Sequence, residues 1–362
     1  MMTVKERWLA ALRLQPVDRL PFWPKIDGAY ARAQAAPFNG MDNDALHAWV
    51  GSDRHVWVGP GLKETRKRTA VDSTRTGDRI RTVYRTPHGE LEEVLQFDGG
   101  SQAWHPVVFP VRAVDDIRVM TAVYEDISVE VDRDALAQVT ARVNDLGQDA
   151  ATAAAIGTSA LMQWVQVLAG VEMAHYLLLD YPEEVEALFA AMHRNLLRRA
   201  ELTAECSPAD TLYLVENTST TLVSPEQYRQ YWFPHIHAYA GITQRAGRIL
   251  TMHMCGHLKA LLPDLAQVPA QAFEAFTSPT VGNTTLLDGR TACPDKCLIG
   301  GTNASLWLEP AEKIIAQIER DLDALPHHRG IVITSAGVMP PRCASETVRA
   351  VCAWLKGYPV RP

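Results

Sequence analysis

The chain has 362 residues, 47% of them hydrophobic and 21% charged, with a formal net charge of −7. That acidic balance excludes nucleic acid as the main partner, since phosphate binding asks for a basic surface, and no apolar run approaches the roughly 20 residues that a membrane helix needs. Six cysteines are too few for a disulfide scaffold in a chain this long, so free thiols and a cytoplasmic location are expected.

The opening "MMTVKERWLAALRL" carries Lys5, Glu6, Arg7 and Arg13 among apolar residues and reads as an amphipathic helix, not as a secretory segment. "QPVDRLPFWPKIDG" is punctuated by proline and leads into a first strand near Leu20 to Trp23. The basic run "KETRKR", Lys63 to Arg68, is short and reads as a solvated face. "DRIRTVYRTPHGELEEVLQF" alternates polar and apolar residues around "TPHGE", which predicts a β-hairpin over about 77–97 with its turn at His88-Gly89. Residues 1–130 are thus an irregular N-terminal part that includes this hairpin.

From about residue 131 the pattern becomes regular to residue 362. "TLYLV" reads as a strand, followed by a helical stretch that Ser224 caps ahead of Pro225. "RILTMHMCG" is a strand and "HLKALLPDLAQV" a helix; "QAFEAFTSP" is a strand and "TLLDGRTACP" a helix. "KCLIGGTNA" is a strand before the amphipathic "PAEKIIAQIERDLDAL", and "GIVITSAG" is a strand before a closing helix with Ser345 as its candidate cap. Continuous apolar strands alternating with helices imply a parallel sheet covered by helices. A single (β/α)8 TIM barrel over residues 1–362 fits better than a doubly wound sheet, whose "GxGxxG" turn is missing.

In such a barrel the reactive groups gather at the C-terminal ends of the strands. Those positions hold Glu216 and Asn217 after "TLYLV", His253 and Cys255 after "RILTM", and Glu274 inside "AFEAF". Thr302 and Asn303 follow "CLIGG", and Cys343 lies in the loop after "GIVIT". His253, Cys255 and Cys343 on one rim would make an open zinc site, one nitrogen and two sulfurs with a vacant position in which a substrate thiol is activated. The plainer reading is that cysteine is often a small buried hydrophobe, and it is preferred for Cys206 and Cys352 on helices. Cys293 and Cys297 precede their strand and belong to the opposite, stabilising face. Glu274 sits where a charge is costly unless paired or metal-bound, with Ala272 and Phe276 expected on its side. It is a candidate fourth ligand, general acid/base or ion-pair partner. Glu216 has similar standing, and Asn217 and Asn303 are candidates for orienting a substrate.

The stretches "ERWLAALRLQPVDRLPFWP", "LAGVEMAHYLLLDYPEEVEALF", "LVSPEQYRQYWFPHI", "HMCGHLKALLP" and "PPRCASETVRAV" resemble the uroporphyrinogen decarboxylase superfamily, a (β/α)8-barrel group with true decarboxylases and cobalamin-linked methyltransferases. The decarboxylases of that group carry an arginine-containing "RQAGR" after the opening strand. Here the region reads "PKIDGAYAR", with Lys25, Asp27 and Arg32, too few cations for a substrate with eight carboxylates. His253 and Cys255 match the "HxC … C" zinc signature of the thiol-directed methyltransferases, whose last cysteine falls nearer Gly337 than Cys343.

The resemblance therefore implies a methyltransferase of corrinoid-linked one-carbon metabolism. Zn2+ on His253, Cys255 and Cys343 would activate a thiol that accepts methyl from methylcobalamin, and Glu274 would guard the fourth position. No cobalamin-binding "DxHxxG" occurs, so a corrinoid protein is the expected partner. Tetrahydrofolate is the rival acceptor, in a reaction without zinc. A lyase acting on a smaller acid, or a non-catalytic protein that binds a corrinoid, would also suit the fold, and a homodimer is one expected assembly.

Overall fold

The computed structural model describes residues 1–26 and 28–362, so Asp27 lies outside the described residues. The apolar runs pair side by side as eight strands: β1 (Phe22–Trp23), β2 (His55–Val58), β3 (Ala151–Gly157), β4 (Thr211–Val215), β5 (Ile249–His253), β6 (Ala272–Phe276), β7 (Cys297–Gly300) and β8 (Ile331–Thr334). Their order is β1-β8-β7-β6-β5-β4-β3-β2, and every pairing is parallel. With helices on the outside, this is a nearly closed (β/α)8 barrel.

Side chains alternate along each strand. Leu212, Leu214, Leu250, Met252, Phe273, Leu298, Ile331 and Ile333 point outwards into one large apolar layer shared with the helices. Trp23, Ala151, Ile249, Ala272, Cys297, Ile299 and Val332 point inwards and form a second cluster. The first helix, α1 (Val4–Leu12), seals that cluster with Trp8, Ala11 and Leu12. The N-terminal end of the barrel is therefore plugged mainly by apolar side chains, with His55 stacked against Trp8 and Trp23 within the plug.

The seam between β1 and β2 is closed by a buried carboxylate. Asp53 accepts the Phe22 N–H at 3.0 Å, and its own N–H donates to the Phe22 carbonyl at 2.8 Å. Arg7 reaches Asp53 at 2.7 Å and Arg19 at 2.6 Å. A fully buried charge is tolerated here because two guanidiniums and an amide surround it.

Four local expectations are corrected. The hairpin is part of a four-stranded antiparallel sheet, Ala70–Thr76, Arg79–Thr86, Gly89–Asp98 and Ala103–Val108, and its turn is Pro87–His88, with Gly89 already paired to Thr86. The helix expected from "HLKALLPDLAQV" is only a 3-10 turn, Lys259–Leu261, and one α-turn, Leu262–Leu265, because Pro263 supplies no N–H to continue the earlier turn. Ser345 is the first residue of the closing helix, Ser345–Gly357, and Ala344 occupies the cap. Phe276 does not share a side with Glu274. Ala275 takes a left-handed φ of 63° and the β6–β7 register shifts there, so this bulge turns Phe276 outwards, towards Gly289, where an added Cβ would lie 2.6 Å from its ring.

Candidate active site

β5 and β6 run in register with His253 opposite Glu274. Both side chains point inwards at the C-terminal end of the barrel, where His253 Nδ1 hydrogen-bonds Glu274 Oε2. The other carboxylate oxygen receives Lys25 Nζ at 2.9 Å. Lys25 follows β1, and its φ of 48° is a conformation that L-residues adopt at a cost. Asn217 (φ 47°), Ala275 (φ 63°) and Ala336 (φ 65°) share that conformation after or within β4, β6 and β8. Left-handed backbone thus recurs around this one end of the barrel.

The charges follow from the packing. Burial by itself disfavours the Glu274 carboxylate, but the His253 and Lys25 charges outweigh it and bring its pKa down to about 2. Burial also works against His253, and here the Glu274 charge, with hydrogen bonds to Cys255 and Glu274, raises the imidazole to about 9. At neutral pH one buried carboxylate is therefore held between two cations. Cys255 lies within hydrogen-bonding reach of the imidazole and donates its thiol to Asn217 Oδ1 at 3.3 Å. Asn217 is fixed in turn by Gln166, whose Oε1 accepts its amide at 2.8 Å.

His253 and Lys25 open onto a cavity of about 890 Å³ that runs along the β1–β2 side. Trp23, His55, Trp57, Arg32 and Arg142 also line it. His55 is buried among Trp8, Trp23, Trp57 and Tyr213, and neither ring nitrogen has a hydrogen-bond partner among the described residues. Burial drives its pKa down to about 3, so the ring is neutral.

The structure brings His253, Cys255, Glu274 and Asn217 together and leaves three other candidates outside. Glu216 is wholly buried; it accepts the Ser159 N–H at 2.9 Å, the Ser159 hydroxyl and the Trp232 indole at 2.8 Å. Its pKa is raised by burial, and its work is to tie β4 to the neighbouring loop and helix. Asn303 spends its amide on Ser278 and the Pro279 carbonyl and its oxygen on the Leu306 N–H. Cys343 packs in the outer apolar layer, its sulfur 3.7 Å from the Ala344 carbonyl, and burial pushes its thiol up to about 12.

The proposed zinc set therefore does not fit. The second sulfur stands in the apolar layer, and the carboxylate expected at the fourth position is already taken by an imidazole and an ammonium. Among the described residues no three His, Cys, Asp or Glu side chains are grouped to hold a metal ion.

Sequence reasoning missed Lys25 and His55 as site residues. His55 was recoverable, because it alternates with outward-facing Val56 and Val58 on a short apolar strand. Lys25 left no periodic signal, since it lies beyond the end of a two-residue strand.

Residues 99–358 match the family described as Uroporphyrinogen decarboxylase (URO-D). The chain belongs to this family. No curated protein matches the sequence. Among solved structures, a methyltransferase from Methanosarcina mazei is similar over 99% of both chains, with 16% identity and a TM-score of 0.62. A B12-independent methionine synthase from Shewanella sp. W3-18-1, in complex with selenomethionine, is similar over 94% of this chain and 96% of its own, with 11% identity and a TM-score of 0.47. No helix among the described residues is long and apolar enough to cross a membrane.

Proposed function

We propose that this member of the uroporphyrinogen decarboxylase family is a methyltransferase of corrinoid-linked one-carbon metabolism, working at the C-terminal mouth of its barrel. The observation that carries the reading is the cluster in which Glu274 holds His253 and Lys25 beside Cys255, facing the cavity. The whole-chain fold likeness to a methyltransferase supports it.

The imidazolium supplies what zinc was expected to supply. A cation in a poorly solvated site favours the anionic form of an acceptor thiol, and His253 next to Lys25 leaves a net positive charge after Glu274 is counted. The acceptor binds as a thiolate with its proton released to solvent. Its sulfur attacks the methyl carbon of methylcobalamin, presented by a corrinoid protein; the C–S bond forms as the Co–C bond breaks, and the electron pair stays on cobalt. Asn217 positions Cys255, and Glu274 positions His253.

The displaced Cys343 gives the tetrahydrofolate acceptor its own standing, because that reaction asks for no thiol-binding metal. The test is methylcobalamin demethylation followed by absorbance with a small thiol and with tetrahydrofolate. Turnover with either acceptor, lowered about 100-fold or more by His253→Gln, is the expected result. No turnover with both, together with carbon dioxide release from a small acid, would overturn methyl transfer in favour of a lyase.

A further inference from the structure

The cavity beside His253 holds features that methyl transfer by itself does not use. Trp57 projects from the inner face of β2 and yet remains 46% exposed, its ring edge-on to Tyr213 at 4.7 Å. A large exposed indole inside a concavity is a surface waiting for a flat partner. Below it lies His55, only 6% exposed, with both ring nitrogens unpartnered among the described residues. Buried polar groups are normally satisfied, and the neutral His55 ring, which lines this cavity, has one donor and one acceptor that no described residue uses.

Charge decides which kind of flat ligand fits. Aromatic walls attract cations as well as rings, but the lining carries Lys25, Arg32, Arg142 and His253 against Asp42 and Asp44. Asp44 is already committed to Arg54 at 2.5 Å and to Arg142 at 2.9 Å, and Asp42 caps its helix through the Ala45 N–H. Arg32, at the exposed rim, makes no ion pair with any described residue. With Glu274, which lies between Lys25 and His253, counted as a third carboxylate, four cations still face three carboxylates, and that excess disfavours a quaternary ammonium and favours an anion.

We infer that this cavity is a binding subsite for a planar aromatic ring bearing a carboxylate, stacked on Trp57, hydrogen-bonded by His55 and charge-paired at the rim by Arg32. It deepens the proposed function and rests on it, since the ring would belong to the small-molecule partner of methyl transfer. A simple aryl acid carries its carboxylate on the ring, and the aminobenzoyl-glutamate portion of a folate carries its carboxylates through an amide link; both offer a flat ring and an anion.

The test is tryptophan fluorescence and calorimetric titration of the full chain with benzoate, cyclohexanecarboxylate, benzamide and p-aminobenzoyl-glutamate. Benzoate is expected to bind about tenfold tighter than cyclohexanecarboxylate or benzamide, a difference of about 1.4 kcal/mol. Trp57→Ala should erase the preference over cyclohexanecarboxylate, Arg32→Gln the preference over benzamide, and His55→Phe should weaken benzoate about tenfold. Tighter binding of p-aminobenzoyl-glutamate than of benzoate identifies the folate source, and equal binding identifies an aryl acid. Equal affinity for benzoate and its two controls, or no saturable binding of either aromatic acid, overturns the subsite. Titrating His253→Gln as well separates the two proposals: benzoate binding there without methyl transfer in the wild type sinks only the function, and transfer without binding sinks only the subsite.

Discussion

His253 and Glu274 are register partners on adjacent parallel strands, and their side chains join inside the barrel within reach of Lys25. The pair draws charge into the fold at the barrel mouth: a protonated imidazole and an ionised carboxylate are stable there only together.

Stability should therefore depend on pH through this pair. The imidazole is raised from 6.5 to about 9, so its contribution is fully present below 6.5 and is lost as pH rises through about 9. The carboxylate is lowered from 4.5 to about 2, so its contribution is present above 4.5 and is lost as pH falls through about 2. Melting curves of wild type and His253→Gln should differ most between pH 4.5 and 6.5 and converge towards about pH 9 and above. A difference that grows with alkaline pH would contradict the assigned charges.

Replacing Glu274 with Gln should cost about 3–5 kcal/mol in urea unfolding, because it leaves Lys25 and His253 buried without their counter-charge. The same change should lower methyl transfer about 100-fold or more. Adding Lys25→Met to Glu274→Gln should recover part of the stability, which a double-mutant cycle measures.

The six cysteines should divide by burial. Iodoacetamide and mass spectrometry on the native protein should modify Cys255 and Cys206, while Cys293, Cys297, Cys343 and Cys352 react only after unfolding. The last four thiols are each pushed up by burial. Zinc per chain should be the same in wild type and in Cys343→Ala; a fall on substitution would return Cys343 to the site.

At the barrel seam, Asp53→Asn should destabilise by about 3–5 kcal/mol, since Arg7 and Arg19 lose their shared carboxylate. Activity per folded molecule should be unchanged, as the seam bond lies at the plugged end. Thermal unfolding alongside active-site titration checks both halves.

At Gly289, an alanine should cost about 1–3 kcal/mol by overpacking, because the new methyl would meet the Phe276 ring at 2.6 Å. A neutral result would mean that the bulge at Ala275 does not turn that ring outwards.

Much of the barrel was legible because strand burial writes itself into the sequence: "TLYLV", "RILTMH", "AFEAF", "CLIG" and "GIVIT" are short apolar runs at regular spacing. Alternation also placed His253 and Glu274 inwards, and the end of a strand placed Cys255 and Asn217 at the mouth. Reading failed where a single residue's conformation decides direction. Alternation puts Phe276 on the side of Glu274 because a left-handed Ala275 is invisible to periodicity, and the position of Glu216 suits a functional carboxylate because the convergence of Ser159 and Trp232 on it leaves no mark in its local sequence.

Composition and pattern by themselves determined a parallel α/β barrel, with its polar residues collected at one rim. Tertiary structure alone decided which of those residues meet. Lys25 is 249 positions from Glu274, and Cys343 entered the apolar layer although its position on the loop suited a ligand. Local pattern records which side of a strand a residue faces, whereas distance across the barrel mouth depends on loop paths, bulges and backbone conformations that no spacing rule encodes.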